Sequence, residues 1–140
     1  MRLVLDTNVL VAAMRSKTGA SARLLDAAYA RRIIPVANAA LFAEWEDVLT
    51  RPEHLAAASL TADAVREALD EMAGLIAAAE QAYSWRPQLT DPNDEMVLEA
   101  AINGAANAIV TFETRTFAAP ARRFGIDVLT PARAWSKVQP

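Results

Sequence analysis

The chain has 140 residues, 54% hydrophobic and 22% charged, with no cysteine, a net charge of −3 and a pI near 5.1. That composition excludes disorder and collagen-like structure, and it also excludes disulfide scaffolds and thiolate zinc sites. The acidic balance argues against a protein that coats nucleic acid non-specifically, whereas a nuclease stays open because bound cations offset clustered carboxylates.

In chain order, Leu3 to Leu5 is a short apolar run that ends in Asp6, and Ile33 to Val36 is a second, β-branched one. Both read as buried strands, as do Ala108 to Thr111 and Asp127 to Thr130. Helices are expected near 20–31, 39–50, 61–79 and 93–104, with a short one at 131–137. In the third, Thr61 caps and Val65, Leu69, Met72 and Ile76 share a face. Alternating strands and helices predict a three-layer α/β/α sandwich around a central, mostly parallel sheet. No linker or repeat divides the chain, so residues 1–140 read as one domain. The longest uncharged run, Ala100 to Phe112, has 13 residues, short of the roughly 20 needed to span a bilayer. Asp6 breaks the first apolar run, which disfavours a signal peptide. A cytoplasmic protein is expected.

Ligand sites in open parallel sheets lie beyond the carboxyl ends of the strands, which draws attention to Asp6 and Glu113. Asp6 alone also reads as a helix cap or turn residue, as does Asn8. Glu44 is harder to explain structurally, because Leu41, Glu44, Trp45 and Val48 form an apolar helical stripe with a carboxylate in it. It needs a cation, a water-filled cleft or an arginine such as Arg51 or Arg23. Asp91-Pro92-Asn93-Asp94-Glu95 opens a helix by the ordinary rules, with Asp91 as cap and Pro92 first. Capping leaves Asp94 and Glu95 unexplained. If Asp6, Glu44, Asp94 or Glu95, and Glu113 converge from four segments, cations must neutralise them. An oxygen-rich set with open coordination suits Mg²⁺ or Mn²⁺, which support phosphodiester hydrolysis. His54, the only histidine, follows a helix away from the strand tips and reads as a surface residue. A haloacid dehalogenase-like phosphatase needs a second Asp where Asn8 stands, and no Walker-type glycine loop occurs.

The segments Leu5-Asp6-Thr7-Asn8-Val9-Leu10, Val48-Leu49-Thr50-Arg51-Pro52, Asp91 to Ala101 and Ala108-Ile109-Val110-Thr111-Phe112 resemble, in order and spacing, the PIN-domain family. The resemblance is to its branch of bacterial toxin–antitoxin toxins, VapC-like ribonucleases, and it spans essentially the whole chain. It implies a PIN-like α/β/α domain, Mg²⁺- or Mn²⁺-dependent endoribonuclease activity, a homodimer and a cognate antitoxin. Asp6 matches the first family acid and Glu44 the second. The third corresponds to Asp94 or Glu95, with Asp94 taken first. Glu113 keeps an acid in the fourth segment, while Thr116 stands where Asp is common in the family.

The leading expectation is a metal-dependent endoribonuclease in which Asp6, Glu44, Asp94 and Glu113 hold the metal, with Asn8, Glu95 and Thr111 in support. Arg15, Lys17 and Arg115 are candidates for contacting RNA phosphates. The alternative is a catalytically degenerate PIN-fold protein that binds antitoxin or RNA, motivated by Thr116. An apolar groove between amphipathic helices would seat an antitoxin segment.

Overall fold

The computed structural model describes residues 1–78, 89 and 91–140. Five strands, β1 (Arg2–Leu5), β2 (Ile34–Ala37), β3 (Ala77–Ala78), β4 (Ala108–Val110) and β5 (Asp127–Leu129), form one sheet in the order β3-β2-β1-β4-β5. Every pairing is parallel. Among the described residues eight helices flank it: α1 (Thr7–Arg15), α2 (Ala20–Tyr29), α3 (Ala39–Leu49), α4 (Pro52–Ala58), α5 (Ala62–Ala73), α6 (Pro92–Asn103), α7 (Thr114–Arg122) and α8 (Pro131–Val138). The result is the expected three-layer α/β/α fold.

The centre of the sheet is dry. Leu3, Val4 and Leu5 of β1 have no exposed surface, and Ala108, Ile109 and Val110 of β4 are equally buried. Strands covered on both faces read as continuous apolar runs, which is why these two are plain in the sequence. Pro35 sits inside β2, which is tolerable because the Ile34 N–H already bonds Met1 O toward β1. Its missing donor therefore points to the other side, where β3 begins only opposite Val36.

Helix α6 packs on β1, β2 and β4 and is buried nearly all round, from Glu95 through Ala101. On α3, Leu41 and Trp45 are fully buried, and the Trp45 indole Nε1–H donates to Leu5 O at 3.2 Å. That bond ties α3 to the carboxyl end of β1.

Several expectations are corrected. The helix expected over 61–79 has Thr61 as its cap, with Oγ1 accepting from Ala64 N, but it stops at Gly74. Ile76 therefore leaves the Val65, Leu69, Met72 face and leads into β3, and residue 79 lies outside the described residues. Three helices were not expected. The β-branched Val9 and Val11 obscured α1. At α4, Pro52 acts as a first helical residue rather than a stop. Pro120 lies inside α7, whose Phe117 and Ala121 are nevertheless fully buried.

Candidate functional site

The register of the inner strands builds the floor of the site. Leu5 pairs with Val110, so the next residues, Asp6 and Thr111, emerge side by side at the carboxyl edge. The Asp6 N–H continues the ladder to Val110 O at 2.9 Å. Asp6 is also the N-cap of α1, its Oδ1 accepting from Thr7 N at 2.8 Å. Its Oδ2 accepts from the Thr111 hydroxyl at 2.8 Å, and Thr111 is fully buried. Thr111 Oγ1 accepts in turn from Glu113 N at 2.9 Å, which fixes the start of α7.

The other acids come from separate elements. Glu44 is one residue before the buried Trp45, and its Oε2 accepts from the Thr7 hydroxyl at 2.6 Å. The alternative arginine partners are engaged elsewhere: Arg51 pairs with Asp47 at 3.2 Å and Arg23 lies over the Trp135 ring. Asp94 stands in the first turn of α6, beyond the Asp91 cap, whose Oδ1 accepts from Asn93 N. Glu113 precedes α7 and is exposed. Asp6, Glu44, Asp94 and Glu113 line one open cleft of about 370 Å³ together with Thr7, Asn8, Val11, Val48, His54 and Asn93.

The electrostatics of the cleft are strained in the direction of protonation. Burial raises the Asp6 carboxyl above its ordinary value against the pull of its two hydrogen bonds, and Glu113 and Glu44 add to the rise. Burial is also the main cause at Asp94, where Asp91, Asp6, Glu113 and Glu44 push further, to about 6. Among the described residues none of these four acids forms an ion pair. Such repulsion among acids is what an added cation would relieve.

The donors present fit a hard divalent ion. They are all oxygens, and Asn8 Oδ1 is buried with no hydrogen-bond partner among the described residues, as suits an oxygen with a ligand to meet. No three acidic or histidine side chains among the described residues are gathered closely enough to grip an ion as a ready-made cage. An ion bound here would therefore meet one or two carboxylates, with water completing its shell.

The structure separates the remaining candidates. Glu95 faces away from the cleft: it is 3% exposed and its Oε1 accepts from Leu89 N at 2.7 Å. Of the adjacent acids, Asp94 is the one in the cleft. Arg15 ends α1 and reaches His54, with its Nη2 3.0 Å from Nδ1. Lys17 lines a different, apolar groove. Arg115 and Thr116 are exposed on the first turn of α7 and do not line the cleft. Sequence reasoning missed Thr7 and Asn93, and it placed His54 away from the cleft that His54 lines. His54 rides on α4, which packs against α1 and carries it to the cleft. The signal available was Pro52 as the start of a helix.

A family model described as PIN domain matches residues 2–115. That span runs from β1 past Glu113 and includes every acid of the cleft. Among solved structures, a chain of the crystal structure of VapBC2 from Rickettsia felis bound to a DNA fragment from their promoter is similar, with a TM-score of 0.61. The likeness covers 93% of this chain and 98% of that one at 14% identity, a level at which it speaks for the fold. No curated protein sequence matches the chain significantly.

Proposed function

Because the chain belongs to the PIN-domain family, we propose that it is a metal-dependent endoribonuclease, the toxin of a toxin–antitoxin pair. The observation that carries this reading is the convergence of Asp6, Glu44, Asp94 and Glu113 from four segments on one cleft. These four residues would share the cation, one or two of the carboxylates meeting it directly and water completing its shell, with Asn8 lining the same cleft. A bound Mg²⁺ or Mn²⁺ supplies activation of a water and stabilisation of charge on the leaving oxygen.

The protein's own contribution is placement. The Thr111 hydroxyl fixes Asp6 Oδ2 while the α1 cap fixes Oδ1, so this carboxylate cannot rotate. The Thr7 hydroxyl does the same for Glu44. Groups held this way need little reorganisation when an ion and a phosphodiester arrive, which is the main source of catalytic advantage in such sites.

A second groove, of about 550 Å³ and lined by Leu10, Met14, Leu25, Tyr29, Leu69 and Met72 among others, supports an antitoxin partner docked as an amphipathic helix. A homodimer is part of the same proposal, resting on the family.

The test is an assay of purified protein on structured and single-stranded RNAs with Mg²⁺, Mn²⁺ or EDTA, using Asp6→Asn as the control for contaminating ribonuclease. Metal-dependent cleavage that disappears in Asp6→Asn is expected, and full cleavage by the variant would overturn the assignment. The competing reading, motivated by Thr116 where Asp is common in the family, is a degenerate PIN-fold protein that binds antitoxin or RNA. Calorimetry that detects no Mn²⁺ binding at millimolar concentration would decide for it.

A further inference from the structure

The cleft has an acidic floor, yet its substrate as proposed above is a polyanion, so donors must face the phosphate from somewhere. Among the residues lining it, His54 is the one ring nitrogen base, and the proposed machinery leaves it without a role. Its position is set by two helices. Arg15, the last residue of α1, places Nη2 3.0 Å from His54 Nδ1 on α4.

A guanidinium has donors only, so in this contact Nδ1 must accept and carries no proton. Accepting at Nδ1 leaves the ring hydrogen on Nε2. Among the described residues, nothing bonds Nε2. We propose that His54 is a substrate-binding residue whose Nε2–H donates to a phosphate oxygen of single-stranded RNA in the cleft, with Arg15 positioning the ring and holding that tautomer. The inference rests on the ribonuclease reading and deepens it. Two consequences are specific. His54 acts as a donor, and not as the base that takes a proton from water, because Nε2 already carries one. Arg15 works through His54, so its loss should cost little once His54 is gone.

The test uses kcat/KM on a single-stranded RNA with Mn²⁺, alongside melting curves for each variant. A hydrogen bond to a charged group corresponds to a loss on the order of 10–100-fold, expected in His54→Phe. His54→Gln, whose amide offers an N–H near the Nε2 position, is expected to recover most of it. Arg15→Met should lose less than His54→Phe, and the double variant should match His54→Phe alone. Mn²⁺-induced stabilisation should be the same in all four, since none removes a proposed metal ligand.

Because the chain has one histidine, its imidazole ¹⁵N signals are unambiguous. They should report Nε2–H in the parent and a mixture of tautomers in Arg15→Met, with no need for activity. Parent-like kcat/KM in a folded His54→Phe, fully additive losses in the double variant, or a protonated Nδ1 in the parent would each overturn the proposal. A parent that neither binds nor cleaves RNA would overturn the ribonuclease reading with it. Cleavage by the parent that is unchanged in His54→Phe would overturn this proposal alone.

Discussion

Replacing Asp6 by Asn removes one charge from the floor of the cleft and keeps the shape of the side chain. The amide oxygen can still accept from Thr7 N, but the amide nitrogen is a donor, so the Thr111 hydroxyl must send its hydrogen elsewhere. Losing a hydrogen bond to a charged acceptor costs about 1.5–3 kcal/mol. Against that stands the cost of the charge itself. Burial first, then Glu113 and Glu44, raise the Asp6 carboxyl in spite of both hydrogen bonds, so the ionised form is on balance disfavoured in the metal-free fold. The two effects oppose each other, and the metal-free variant is expected to melt within about 1 kcal/mol of the parent. With metal the proteins should diverge. An ion at ten to a hundred times its Kd stabilises the native state by about 1.4–2.7 kcal/mol, roughly 4–10 °C for a chain of this size. The assay is thermal unfolding in EDTA and across a Mn²⁺ series. The parent should show the rise and Asp6→Asn should not. A variant with a parent-sized Mn²⁺ shift would refute Asp6 as a ligand, and one that fails to fold in EDTA would refute the claim that its charge is a burden to the empty fold.

The same melts distinguish the adjacent acids of α6. Asp94→Asn should fold and lose the Mn²⁺ response, whereas Glu95→Gln should keep the response and lose about 1–2 kcal/mol, because the buried Glu95 accepts from Leu89 N. The pH dependence follows from Asp94, whose carboxyl is raised from 3.8 to about 6. The folded state holds this proton longer than the unfolded one, so Asp94 makes no difference to stability below pH 3.8 and lowers it progressively as pH rises through about 6. In EDTA, the urea midpoint of the parent relative to Asp94→Asn should therefore fall between pH 4 and pH 7; a constant difference would contradict the raised carboxyl. Trp45→Phe removes the bond to Leu5 O and part of a fully buried ring. About 1–3 kcal/mol should be lost in urea unfolding, with weakened Mn²⁺ binding as Glu44 loses its anchor.

The sheet was the most legible part of the sequence. Leu3–Leu5 and Ala108–Val110 are covered on both faces, and such strands have no polar alternation to confuse the reading. Strand β3 left no trace, since Ala77–Ala78 has neither β-branching nor length and exists by pairing with Val36 and Ala37. The caps at Thr61 and Asp91 were readable because a single side chain bonds a donor two or three residues on. The missed helices share a different cause: β-branching in α1 and prolines in α4 and α7 lower local propensity, and tertiary burial overrides it. Missing α4 had a direct functional cost. Without that helix there was no reason to bring His54 next to Arg15.

Asp6 and Asp91 show what separates a structural acid from a chemical one. Both cap helices, and on local grounds they are equivalent, since each accepts from a backbone N–H at the start of the helix that follows. Asp91 spends its carboxylate there and stays exposed outside the cleft. Asp6 differs because it also ends an inner strand. Its N–H is held by Val110 O and its second oxygen by Thr111, so capping one donor leaves the group fixed at the carboxyl edge of the sheet and not released to solvent. Cap and ligand are therefore not competing explanations at position 6, because each carboxylate oxygen accepts one hydrogen bond and keeps a further lone pair. The same logic extends to Glu44, where an apolar stripe drives Trp45 onto Leu5 O and the Thr7 hydroxyl holds the carboxylate beside it at the cleft. An acid becomes a candidate for chemistry where burial of its neighbours fixes its position, and the sequence displays those neighbours even where it hides the site.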